Sequence, residues 1–106
     1  MTSYADRLRI LPQFRPDEYD DVRSTLFGRL ENRLARWRPE EVQLELSMKD
    51  RDGKQQRTAL ECWITGLPKL VATSSEQDRN RALAEVRDDL WRQIDRQATK
   101  GSIRKG

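Results

Sequence analysis

Two hydrophobic periods divide this chain. Val42, Leu44, Leu46 and Met48 alternate with Gln43, Glu45 and Ser47, a strict period of two that predicts a half-buried β-strand. After Asp50-Arg51-Asp52-Gly53-Lys54 the alternation resumes, with Thr58, Leu60, Cys62 and Ile64 on one face and Ala59, Glu61 and Trp63 on the other. The pair predicts a hairpin whose turn uses Gly53 for a positive φ. Gly66-Leu67-Pro68 marks a second turn, and residues 69–73 read as a short further strand. Near the start, Leu8, Ile10 and Leu11 run into Pro12, which predicts an edge strand, because proline is tolerated there.

Elsewhere the period is 3.6. Val22, Leu26, Leu30, Leu34 and Trp37 form one stripe, with Tyr19 leading it and Phe27 beside it. Pro16-Asp17-Glu18 suits the opening of that helix, because proline fits the first turn and acids complement the helix dipole. Pro39 closes it by forcing the preceding residue out of helical geometry. A last helix is predicted from Asp78, with Ala82, Leu83, Val86, Leu90 and Ile94 in one stripe and Ser74 or Ser75 as its cap. Its periodicity stops after Ala98. The predicted order is β-α-β-β-β-α, an α+β fold in which two helices pack on one face of a four-stranded sheet. Residues 1–98 form a single domain in this reading, and residues 99–106 a basic, flexible tail.

Composition narrows the class. Of the 106 residues, 37% are charged and 35% hydrophobic, so the core is thin and the surface densely charged. The apolar residues are periodic and the net charge is only +3, which favours a folded domain over a disordered one. The basic excess lies at the ends: residues 99–106 hold Lys100, Arg104 and Lys105 and no acid. Such segregation points to a local polyanion-binding surface. The single cysteine, Cys62, sits in a strand-like run and reads as core packing. The opening MTSYADRLRILPQF shows neither an uninterrupted apolar run nor a small-residue cleavage site, and no stretch reaches membrane-spanning length, so a cytoplasmic protein is expected.

Catalysis finds little support. The chain has no histidine, which removes the commonest general base and metal ligand. It has no glycine-rich phosphate loop, and its carboxylates are interleaved with arginines on predicted helix surfaces, where ion pairing accounts for them. Neither a cofactor, a metal nor a small-molecule substrate is expected. Binding is better supported. Arg29, Arg33 and Arg36 fall within about 60° of one another on a helical wheel, next to Trp37 and Arg38, and the tail adds Lys100, Arg104 and Lys105.

The element order and the last helix resemble the ribosome hibernation promoting factors, also called ribosome-associated translation inhibitors. The closing helix of that family has a pattern close to D-x-Y-x-A-I, then L-x-R-Q-L, a basic residue and a K-G tail. Asp78, Ala82, Leu83, Val86, Leu90, Arg92, Gln93, Ile94, Arg96, Lys100 and Gly101 stand in that register without a gap. Arg33, Leu34 and Trp37 match the R-L…W ending of the family's first helix, and the likeness spans about residues 7–105. Asn80 replaces the family's tyrosine, Asp89 a lysine, and Trp91 a common acid.

The resemblance implies a fold like that of double-stranded-RNA-binding domains, and a short-form factor bound to the small ribosomal subunit near the decoding site. There it would contact rRNA and exclude mRNA and tRNA, through Arg92, Arg96, Lys100, Arg104 and Lys105, joined by Arg29, Arg33, Arg36 and Arg38. The free protein is expected as a monomer. Two other classes stay open: a protein-interaction adaptor on the same fold that has lost rRNA affinity, and a general structured-RNA-binding module.

Overall fold

The structure, a computed structural model, describes residues 3–105, with side chains described through residue 98. Four strands, β1 (Leu8–Ile10), β2 (Val42–Lys49), β3 (Arg57–Ile64) and β4 (Leu70–Ser74), form one sheet in the order β1-β2-β3-β4. β1 runs parallel to β2, and the other neighbours are antiparallel. Helices α1 (Tyr19–Leu34) and α2 (Arg79–Lys105) complete the predicted β-α-β-β-β-α order. Single 3-10 turns stand before β1 (Ala5–Arg7), before α1 (Pro16–Glu18) and before β2 (Pro39–Glu41). The helical backbone of α2 continues through residues 99–105, the segment set apart by composition as a tail.

The period-two alternation places every second strand residue against the helices. Leu44 and Leu46 of β2 lie opposite Cys62 and Leu60 of β3, and all four are fully buried. α1 contributes Val22, Leu26, Leu30 and Leu34 to this core, and α2 contributes Leu83, Val86, Leu90 and Ile94. Cys62 is shut in completely, and burial pushes its thiol pKa up to about 12. The opposite sheet face carries Arg9, Gln43, Glu45, Lys49, Arg57, Glu61, Trp63 and Val71, and among the described residues no layer covers it.

Local chemistry corrects three expectations. First, α1 stops at Leu34, so Arg36 lies in the following turn and Trp37 beyond the helix. Pro39 holds Arg38 extended (φ −76°, ψ 152°), Trp37 N–H closes a tightened turn on the Leu34 carbonyl at 2.9 Å, and the Tyr4 hydroxyl donates to the Trp37 carbonyl. Second, α2 is capped by Asp78, whose carboxylate accepts the Arg81 N–H at 2.9 Å. Ser74 instead accepts the Glu76 N–H and donates to the Glu85 carboxylate at 2.6 Å, which fastens β4 to α2. Third, the positive φ values of the β2–β3 turn belong to Asp50 (51°) and Asp52 (66°), not to Gly53. Aspartate tolerates the left-handed region, and Gly53 serves the turn by leaving room for a side chain. A Cβ there would strike the Asp50 carboxylate, which accepts the Gln55 N–H at 3.1 Å.

Three distant segments meet at Glu18, the one charged residue that is buried among the described residues. Its carboxylate accepts two bonds from the Arg51 guanidinium (2.8 and 2.7 Å), one from Arg79 (3.0 Å) and one from the Arg15 backbone N–H (2.8 Å). Arg51 also lies over the ring of buried Phe14, 5.7 Å from its centroid. The site therefore ties the start of α1, the hairpin turn and the first residue of α2 together. The Arg51 hydrogen bonds lead in holding the Glu18 pKa at about 2, against an ordinary 4.5, and they outweigh the opposing effect of burial.

Two outcomes follow. Leu90→Ala leaves a cavity under α2 and costs about 2–5 kcal/mol, read by chemical denaturation. Because the folded Glu18 pKa is depressed, its contribution is complete above pH 4.5 and is lost as pH falls toward 2. Glu18→Gln flattens that acid limb and lowers stability at pH 7 by about 3 kcal/mol, the low end for a broken buried pair, since the guanidiniums remain about a quarter exposed. Melting temperature against pH for both proteins checks this.

Candidate nucleic-acid interface

α1 and α2 lie side by side and run in the same direction. Glu18 meets Arg79 at one end, the Thr25 carbonyl accepts from Arg87 at 3.2 Å in the middle, and Arg33 faces Asp95 at 3.6 Å further along. Parallel helices place both partially negative C-terminal ends on the same side of the domain. Arginine near such an end satisfies free carbonyl groups, which explains locally why Arg29, Arg33, Arg36 and Arg38 crowd there.

The predicted basic residues do not form one continuous face. Arg29 and Arg33 line a shallow concavity of about 310 Å3 with Gly28, Asn32 and Trp91. Arg33 is engaged rather than free: its guanidinium stacks over the Trp91 ring at 4.7 Å from the centroid and pairs with Asp95. Arg36 and Arg38 are exposed beyond the helix, with Arg38 Nε 3.6 Å from the Glu41 carboxylate. Arg92 opens on a different side, toward β4, in a concavity of about 370 Å3 shared with Thr73, Ala84, Glu85, Asp88 and Asp89. Arg96 is exposed one turn later on the same helix. The side chains of Lys100, Arg104 and Lys105 lie outside the described residues.

Carboxylates are built into the surface between these groups. Asp88 accepts from Arg87 at 2.9 Å, and Asp89 accepts from Gln93 at 3.3 Å. The same Gln93 amide donates to the Val71 carbonyl on the outer edge of β4 at 2.8 Å. What the sequence reading did not assign was Trp91, which joins the two helices by sitting beneath Arg33. Its signal was position: one residue past Leu90, at the flank of the apolar stripe, where a large side chain reaches a neighbouring helix.

No family model and no curated protein sequence matches the chain. Among the described residues, no helix is long and apolar enough to cross a membrane, and no group of three or more histidine, cysteine, aspartate or glutamate side chains could hold a metal ion.

The Arg33 contacts can be ranked by double-mutant cycles in urea. Arg33→Ala is expected to cost about 1 kcal/mol and to couple to Trp91→Leu by about 0.5–1 kcal/mol, the range for a cation over an aromatic face. Its coupling to Asp95→Asn should stay below about 0.5 kcal/mol, because both partners are nearly half exposed.

Proposed function

We propose that this chain is a ribosome-associated translation inhibitor of the hibernation type, acting in the cytoplasm. It binds the small ribosomal subunit near the decoding site and excludes mRNA and tRNA. The observation that carries the reading is the parallel pairing of α1 and α2, which sets the arginine-rich end of α1 level with the stretch of α2 that holds Arg92 and Arg96. The register of Arg92, Gln93, Ile94, Arg96 and Lys100 in the closing helix supports it from the sequence.

Arginines at the end of α1 and along α2 can contact phosphates that belong to different rRNA segments. Recognition of this kind reads the shape and backbone of folded RNA rather than base order. Inhibition then needs no chemistry, because a folded domain in the channel occupies the volume that mRNA and tRNA require. A second reading, a protein-interaction adaptor on the same fold, draws on the carboxylates around Arg92 and on the engagement of Arg33 with Asp95 and Trp91.

Co-sedimentation with purified small subunits separates the two. Stoichiometric pelleting is expected, weakening on the order of 100-fold between about 50 and 200 mM salt for four phosphate contacts. Bound initiator tRNA should block it, and Arg92→Glu with Arg96→Glu should abolish it while circular dichroism shows the domain still folded. Failure to pellet at low salt would remove the ribosome from the reading.

A further inference from the structure

At the end of the domain remote from the arginine-rich helix ends, the hairpin carries a second concentration of positive charge. Lys49, the last residue of β2, lies directly opposite Arg57, the first residue of β3, and both are exposed on the uncovered sheet face. Directly opposed side chains in an antiparallel pair are about 5 Å apart at Cβ, so two like charges there oppose each other and weaken the strand pairing. Lys54 lies in the connecting turn, and all three line a concavity of about 530 Å3 with Gln55 and Ser75. Asp50 is the one carboxylate on its wall, and it is occupied by the Gln55 N–H.

Lys49, Lys54 and Arg57 make no ion pair among the described residues. Arg51, in the same turn, is by contrast locked onto Glu18. The turn is also held firmly in place. Gln56 accepts the Asp52 N–H at 2.7 Å and donates to the carbonyls of Glu76 (3.0 Å) and Gln77 (2.9 Å) in the connection to α2. A rigid turn thus presents three cations without partners, two of them placed against each other's charge.

We propose that this hairpin end is a second RNA-backbone contact, in which Lys49, Lys54 and Arg57 receive successive phosphates. Several cations a few ångströms apart suit the closely spaced charges of a nucleic-acid strand better than a lone carboxylate. The large exposed apolar side chains, Trp63 and Val71, lie elsewhere on the face: Trp63 pairs with Gln43 at the opposite end of β3. The hairpin end therefore lacks the aromatic anchor typical of a protein interface and has the polar, positive character of a nucleic-acid one. The contact is independent of the helix ends and extends the proposed RNA binding to the far end of the domain.

The test titrates the full chain against a fluorescein-labelled RNA duplex of about 16 base pairs, read by anisotropy at several salt concentrations. Lys49→Gln with Arg57→Gln should weaken binding about tenfold or more and reduce the log–log salt slope by about two. Lys49→Glu with Arg57 retained changes the local charge by the same two units and should weaken binding comparably while raising the melting temperature, because it turns a repelling cross-strand pair into an attracting one. A contact that served only the fold would move stability and binding in the same direction.

Unchanged affinity and slope in these variants, with the wild type bound, would overturn the proposal. If Arg92→Glu with Arg96→Glu abolished duplex binding in that same experiment, the helix-end reading would stand alone. Loss of binding in the hairpin variants, with the helix variant unaffected, would support the hairpin and count against the helix ends. Displacement of the duplex by polyglutamate as readily as by unlabelled duplex would overturn the assignment to nucleic acid.

Discussion

The arrangement of this domain depends on one buried carboxylate. Two helices that lie parallel bring their partially positive N-terminal ends to the same place, where they repel each other. Glu18 stands at that place, at the start of α1 and in hydrogen-bond contact with the first residue of α2. Its negative charge favours both helix ends, and Arg51 and Arg79 satisfy its oxygens so that it can be buried. Arg51 comes from the hairpin, so the same contact sets how the β2–β3 turn sits against the helices. The arginine-rich ends at the other side of the domain are the complement: with the N-termini gathered at Glu18, the C-termini of α1 and the middle of α2 must run out together.

Most of the architecture was legible because its signals are local and repeated. The alternation in Val42–Met48 and Thr58–Ile64 specifies which strand face is buried, and a slip by one residue would have turned Glu45 and Glu61 inward. The helix stripes were equally plain. What escaped was decided by single contacts between distant residues. Whether Ser74 or Asp78 caps α2 depends on whether Ser74 is already held by Glu85 from the helix above it. Beyond the early end of α1, the Trp37 carbonyl accepts from Tyr4, a partner from the other end of the chain that no local pattern announces. Arg51 looked like an ordinary turn residue, and no spacing rule links it to Glu18.

The candidate surface was legible as a set of residues but not as a geometry. A helical wheel grouped Arg29, Arg33 and Arg36, yet Arg36 lies outside the helix and Arg33 is laid across Trp91. Arg92 was grouped with them by charge, whereas α2 turns it toward β4. The wheel assumes that helix continues and that a side chain on a boundary position is free. Here the neighbouring helix claims one such position through an aromatic ring. Among the described residues, cations without an ion pair also stand where strand register, rather than helical period, sets Lys49 against Arg57.

The enclosure of Cys62 has a practical consequence for measuring any of this. With its sulfur sealed in the core and its pKa pushed up to about 12, the thiol stays protonated and out of reach of alkylating reagents while the domain is folded. It is the one cysteine in the sequence. A cysteine placed at an exposed position therefore becomes the sole attachment point for a dye or spin label, with no need to remove the native one. Pairs of such labels could report the distance between the hairpin end and the helix ends in the free and bound domain.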